Sequence, residues 1–213
     1  MKIYDDYDIV NKFSNIPIRL FKFTEYQVIT TGKHANKFLD SKCLRSIDLS
    51  HDKYLEEINF DQKTILLVRE PKERLISGLC QEWVDLGFYE TLQFVNRETD
   101  LKIQSKSFNH FIALTLLDTN LRYDATHVAP WLYKAVKIKQ TGKDMVSVFN
   151  FSELDKLFTL LNITDTSKLD IEKLHMPVDH RKLSCHFPNS IHKALDYYCR
   201  HEYTHYKFLL ERS

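Results

Sequence analysis

Arg69 stands at the end of an uninterrupted apolar run, Ile65-Leu66-Leu67-Val68, and is followed by Glu70, Pro71 and, eight residues after the arginine, Ser77. A short apolar run closed by a charge and a proline describes a buried strand. Proline just past its end suits the first turn of a helix. The strand therefore delivers a guanidinium at its carboxyl end, and the helix carries a hydroxyl back toward it. A guanidinium is a planar fork of donors matched to phosphate oxygens, and ligands of open α/β sheets sit beyond the carboxyl ends of strands. Arg69 and Ser77 are thus candidates for gripping one phosphate.

A second anion cradle lies between Tyr26 and Ser41. The β-rich run YQVIT passes into Thr31-Gly32-Lys33-His34-Ala35-Asn36, and Lys37 to Ser41 opens a helix. Amides at a helix start point at an anion, and a lysine adds a point charge. The loop is not a Walker A motif: the upstream glycine is missing, and His34 stands where a Ser or Thr would ligate magnesium. Metal-assisted hydrolysis of ATP or GTP is therefore disfavoured. A Gly-Lys pair alone says little. Paired with Arg69 and Ser77, it describes two grips on two phosphates of one nucleotide.

The elements that must position these residues follow from periodicity and punctuation. Leu44 to Leu49 reads as a short strand, Asp52 to Ile58 as one or two helical turns, and Thr64 to Val68 as the clearest strand. The helix opened by Pro71 is expected to reach about Leu86. Phe108, Phe111, Ile112, Leu114 and Leu117 form a helical stripe within Ser107 to Leu117. Met145 to Phe149 reads as a strand, and Ser152 as the cap of a helix to Leu161, with Asp155 completing an imperfect capping box. Ser190 to Leu210 reads as a long helix rich in Tyr and His, and Asn96 to Ser107 as an exposed loop. Alternating strands and helices imply α/β with a mostly parallel sheet. A chain of 213 residues without an evident linker is read as one domain, 1–213.

Composition narrows the functions. The formal net charge is +1, so no general basic field draws nucleic acid, and an anion site must be local. The four cysteines, Cys43, Cys80, Cys185 and Cys199, form no CxxC and are expected to be free thiols. A zinc site from Cys185, His186 and Cys199 fits no standard spacing. The charged start MKIYDDYDIVNKF is unlike a signal peptide, and no apolar run approaches the ~20 residues of a membrane span. These features lead to an expectation of a soluble, cytoplasmic protein with no membrane or nucleic-acid partner.

The two phosphate motifs together resemble those of the sulfotransferases that use 3′-phosphoadenosine 5′-phosphosulfate (PAPS). TGKHANKF looks like a divergent form of their 5′-phosphosulfate motif, and Arg69-Glu70-Pro71 with Ser77 is similar to their 3′-phosphate motif, with Glu for the usual Asp or Asn. SHDKYLEE (Ser50 to Glu57) looks like the segment that supplies a catalytic histidine in many members. Asp124-Ala125-Thr126-His127-Val128-Ala129-Pro130 is similar to a stretch of carbohydrate sulfotransferases. The resemblance implies a three-layer α/β/α P-loop-like fold and sulfuryl transfer to a hydroxyl acceptor, a carbohydrate or other small molecule, with PAPS as co-substrate and no metal. It implies catalytic roles for Lys33, His51 and His127, cofactor contacts from Thr31, Gly32, Lys33, His34, Ala35, Asn36, Lys37, Arg69 and Ser77, and a basic loop at Arg181 and Lys182 folding over the nucleotide. One departure is plain: the family's paired hydroxyl residues at the helix start are here Asn36 and Lys37.

Each residue also has a plainer reading. Arg69 could pair with Glu73, Ser77 could be a small packing residue, His51 a surface or capping group, His127 a structural one, and Arg181 with Lys182 a solvated pair. Trp83, Phe88, Tyr89 and Trp131 are candidate platforms for a sugar. Two other functions stay open. One is a PAPS-binding module that has lost transfer, motivated by Asn36-Lys37; the other is a P-loop nucleotide phosphotransferase.

Overall fold

The computed structural model describes residues 18–31, 36–51, 53–83, 130–166 and 184–211. Its sheet has five strands: β1 (Ile18–Lys22), β2 (Tyr26–Thr31), β3 (Arg45–Asp48), β4 (Lys63–Val68) and β5 (Val146–Asn150), in the spatial order β3-β1-β2-β4-β5. The helices are α1 (Asn36–Asp40), α2 (Pro71–Trp83), α3 (Leu132–Gly142), α4 (Leu154–Leu160) and α5 (Asn189–Glu211). No helix among the described residues is long and apolar enough to cross a membrane.

The expected mostly parallel sheet is corrected. β2 pairs parallel with β4 and β4 with β5, but β1 pairs antiparallel with both β2 and β3. The cause is β1 itself, which sequence patterning passed over. Its connection to β2 is too short for a crossover, so the two form a hairpin closed by the Phe23 N–H donating to the Tyr26 carbonyl at 2.8 Å. β1 thereby separates β3 from β2. Being antiparallel to β1, β3 still points the same way as β2, β4 and β5.

Alternation along the strands feeds two apolar clusters, one on each face. Leu66 and Val68 of β4 join Ile18, Leu20, Ile29, Val146 and Val148 beneath Trp131, Leu132, Ala135 and Ile138 of the α3 region and Leu209 of α5. Ile65 and Leu67 join Phe21 and Val28 against Phe38 and Leu39 of α1 and Leu157 and Phe158 of α4. Because β4 is buried on both faces, its sequence is continuously apolar rather than alternating. Gly142 ends α3 where a Cβ would stand 2.4 Å from Val146 Cγ2, so only glycine lets the chain turn this tightly into β5.

One buried carboxylate joins three helices. Glu202 Oε2 accepts a 2.8 Å bond from Arg74 Nη2, and Glu202 Oε1 accepts from the backbone N–H groups of Trp131 at 2.9 Å and Leu132 at 3.3 Å. The start of α3 has no side-chain cap of its own, so α5 supplies it. Tyr203 donates to Glu70 just before α2, and Lys72 pairs with Asp196 at 2.7 Å, so α2 is tied to α5 at three points.

The helix expected to be capped by Ser152 is capped two residues earlier. Asn150 Oδ1 accepts from Ser152 N–H at 3.0 Å and Glu153 reaches back to Asn150 N–H at 3.1 Å, closing a capping box over a 3-10 turn that leads into α4. The helical stripe at Ser107–Leu117, the loop at Asn96–Ser107 and the stretch beyond Trp83 lie outside the described residues.

Glu202→Ala leaves the Arg74 guanidinium buried without its carboxylate and opens the start of α3. A loss of about 3 kcal/mol or more in urea unfolding is expected, with a smaller loss for Glu202→Gln, which keeps an acceptor. A loss below about 1 kcal/mol for the alanine variant would contradict this role.

Candidate functional site

Four strands deliver their carboxyl ends to one edge of the sheet. Leu49, just past β3, donates its N–H to the Ile18 carbonyl at 2.7 Å; Ile18 is opposite Thr31 and Val68 is opposite Asn150. β2 and β4 pair through Ile29 and Leu66, and the register continued by two residues aligns Thr31 with Val68. The Thr30 hydroxyl fastens this junction by donating to the Leu67 carbonyl at 3.1 Å. The chain therefore leaves one edge toward His51, into residues 32–35, at Arg69 and at Phe151. Adjacent strands lie ~4.8 Å apart, so the exits of β2 and β4 are neighbours, and the exit of β3 is roughly 14 Å from that of β4.

The residues singled out from sequence divide as follows. Thr31 is buried at the exit of β2. Asn36 opens α1, half-buried, with exposed Lys37 beside it, and Phe38 and Leu39 anchor that short helix in the core. His51 is exposed on a turn shaped by Asp48, whose Oδ1 accepts from Ser50 N–H at 2.9 Å and from its hydroxyl at 2.6 Å. Arg69 and Ser77 are buried, at 5% and 4% exposure. Gly32, Lys33, His34, Ala35, His127, Arg181 and Lys182 lie outside the described residues, as do Phe88, Tyr89 and the Trp83 side chain. Trp131 is corrected: it is fully buried in the core and offers no platform to a sugar. The set-aside zinc trio is also divided by burial. Cys199 is buried and Cys185 exposed, and no metal-holding cluster occurs among the described residues.

Arg69 is fixed from two sides. Its guanidinium carbon lies 5.0 Å from the centroid of the Phe151 ring, and its Nε is 3.7 Å from Glu73 Oε2. The plainer reading of Arg69, a pair with Glu73, is therefore present in the structure. Glu70, in the place of the shorter Asp or Asn, caps α2: its Oε2 accepts from Glu73 N–H at 2.5 Å while its Oε1 accepts from Tyr203. Glu73 and Ser77, four residues apart on α2, share a face of that helix, and Glu73 in turn reaches Arg69, which precedes the helix.

Residues that sequence reasoning missed complete this edge. Asn150 ends β5, caps the following turn and donates through Nδ2 to the Tyr206 hydroxyl. Tyr203 and Tyr206, from the helix read only as Tyr-rich, thus bind the exits of β4 and β5. Burial pushes the Tyr206 hydroxyl pKa up; the Asn150 hydrogen bond opposes this, and the carboxylates of Glu70, Glu73 and Glu153 add to it. Burial and the Glu70 bond push Tyr203 well above the usual tyrosine range. The Glu70 and Glu73 carboxylates thus stand at the exit of β4.

Tyr54 anchors the turn that follows His51. It is buried, with Lys134 Nζ of α3 4.9 Å from its ring centroid, and burial pushes its hydroxyl from 10.0 to about 12. Comparison of the chain with family models, curated proteins and solved structures finds no match.

A tyrosine raised on folding ionises first in the unfolded chain. Its contribution to stability is complete below pH 10 and is lost as the pH climbs toward 12. Tyr54→Phe should therefore shallow the decline of stability between those values, measured as urea midpoints across alkaline pH. An unchanged slope would contradict the assigned environment.

Proposed function

We propose that this chain is a PAPS-dependent sulfotransferase acting on a hydroxyl acceptor, with a carbohydrate as one acceptor class, and that it has a three-layer α/β/α, P-loop-like sulfotransferase fold. The apolar clusters on both faces of the sheet support the fold. One observation carries the function: the strand that feeds the 31–37 segment and the strand that ends at Arg69 are parallel neighbours whose ends align. Two grips on adjacent strands suit one molecule bearing phosphates at both ends of an adenosine.

In this reading Arg69 and Ser77 hold the 3′-phosphate, and Thr31 to Lys37 hold the 5′-phosphosulfate through backbone amides and Lys33. The acceptor oxygen attacks sulfur in line, and the bond from sulfur to the bridging phosphate oxygen breaks. His51 takes the acceptor's proton, and Lys33 offsets the charge that gathers on the departing phosphate. The exit of β3 that leads to His51 and the exit of β2 that leads into the 31–37 segment lie two strand spacings, roughly 10 Å, apart on one sheet edge, a span that suits an acceptor. His127 orients the acceptor, and Arg181 with Lys182 cover the nucleotide. The scheme needs positioning and charge stabilisation and runs without a metal.

A binding-only reading is favoured by one observation: α1 opens on Asn36 and Lys37, so no hydroxyl side chain stands at the first two positions of that helix. Calorimetry separates the readings. Adenosine 3′,5′-bisphosphate should bind without magnesium, and His51→Ala should keep that binding while lowering sulfate transfer by about a hundredfold or more. Absence of binding to the wild-type chain would overturn both readings. Binding without transfer to any of a broad panel of hydroxyl acceptors would leave the binding module.

A further inference from the structure

We infer that Glu73 is an internal competitor for the phosphate site, holding the Arg69 guanidinium until a phosphate displaces it. The inference rests on the 3′-phosphate reading of Arg69 and Ser77. Glu73 is one helical turn before Ser77 on α2, and its Oε2 lies 3.7 Å from the Nε of Arg69, which precedes that helix. An incoming phosphate and the Glu73 carboxylate would seek the same cation from the same face and would repel each other.

Burial decides which partner moves. The Arg69 side chain is 5% exposed and lies against the Phe151 ring, whereas the Glu73 side chain is 44% exposed. Arg69 cannot swing out without leaving its aromatic support on Phe151. Glu73, the more exposed partner, is the one that rotates toward water. Its backbone stays in place when it does, because Glu70 Oε2 holds its N–H at 2.5 Å. Displacement is therefore a side-chain rotation on a fixed helix turn, with the guanidinium beside Phe151 in both states.

The consequence is selectivity by charge. A ligand without a 3′-phosphate leaves the Arg69–Glu73 pair intact and gains nothing from Arg69. A ligand with one must outcompete a carboxylate, so only a strongly charged group succeeds. Removing the charge of Glu73 should then strengthen binding, an outcome that damage to the fold cannot mimic.

The test is calorimetric titration of wild-type chain and Glu73→Gln with adenosine 3′,5′-bisphosphate and with adenosine 5′-monophosphate. The variant should bind the bisphosphate about fivefold more tightly, bind the monophosphate unchanged, and lose much of the difference at high salt. If the wild-type chain prefers the bisphosphate but Glu73→Gln leaves that preference unaltered or weakens it, the competitor role is overturned while the phosphate site stands. If the wild-type chain shows no preference for the 3′-phosphate, the site reading fails and the competitor role falls with it. Phe151→Leu gives a second readout. It should lower the bisphosphate preference toward unity while leaving monophosphate affinity in place, and a retained preference would contradict the support assigned to the ring.

Discussion

The pairing of Arg74 with Glu202 is the contact on which the candidate edge depends. Its two side chains are 1% and 6% exposed, so both charges have left water almost completely. Such a pair is costly to bury and survives only where further hydrogen bonds complete it. Glu202 meets that condition by accepting from Trp131 and Leu132 N–H as well, and one carboxylate thereby sets α2, α3 and α5 against each other. Arg69 and Ser77 flank Arg74 on the same segment, so the placement of both phosphate candidates is inherited from this buried junction.

Around the strand exits, side chains from α5 make the closing contacts. Tyr203 reaches Glu70 at the exit of β4, and Tyr206 meets Asn150 at the exit of β5. Phe151, the next residue after β5, becomes the surface on which the guanidinium rests. The exit of β4 thus carries a buried guanidinium against Phe151, with the Glu70 and Glu73 carboxylates close by.

What was legible in the sequence was whatever local patterning determines. β4 announced itself because burial on both faces leaves no polar residue between Thr64 and Arg69, and α2 because Pro71 marks its start. β1 did not, since IRLFK mixes charges into a short run beside a polar stretch, and its partner strands decide its role. α3 was missed for a clearer reason. Its start is capped by a carboxylate 70 residues away, and lysines interleaved through YKAVKIK mask its apolar stripe. The same distance hid the use of Arg74, whose partner is 128 residues distant. Trp131 was misread because an aromatic residue beside a candidate site serves the core as readily as a ligand. Asn150 could have been found: Asn with Glu three residues on is a capping box as good as Ser with Asp.

The central claim is that two adjacent strand exits clasp opposite ends of one doubly phosphorylated adenosine. Crystals of the chain grown with adenosine 3′,5′-bisphosphate test it most directly. The account predicts the 3′-phosphate on Arg69 and Ser77, the Glu73 carboxylate turned out to solvent, and the 5′-phosphate against the 31–37 segment with Lys33 beside it. A nucleotide lying on another face, or one whose phosphates leave the Arg69–Glu73 pair untouched, would contradict it.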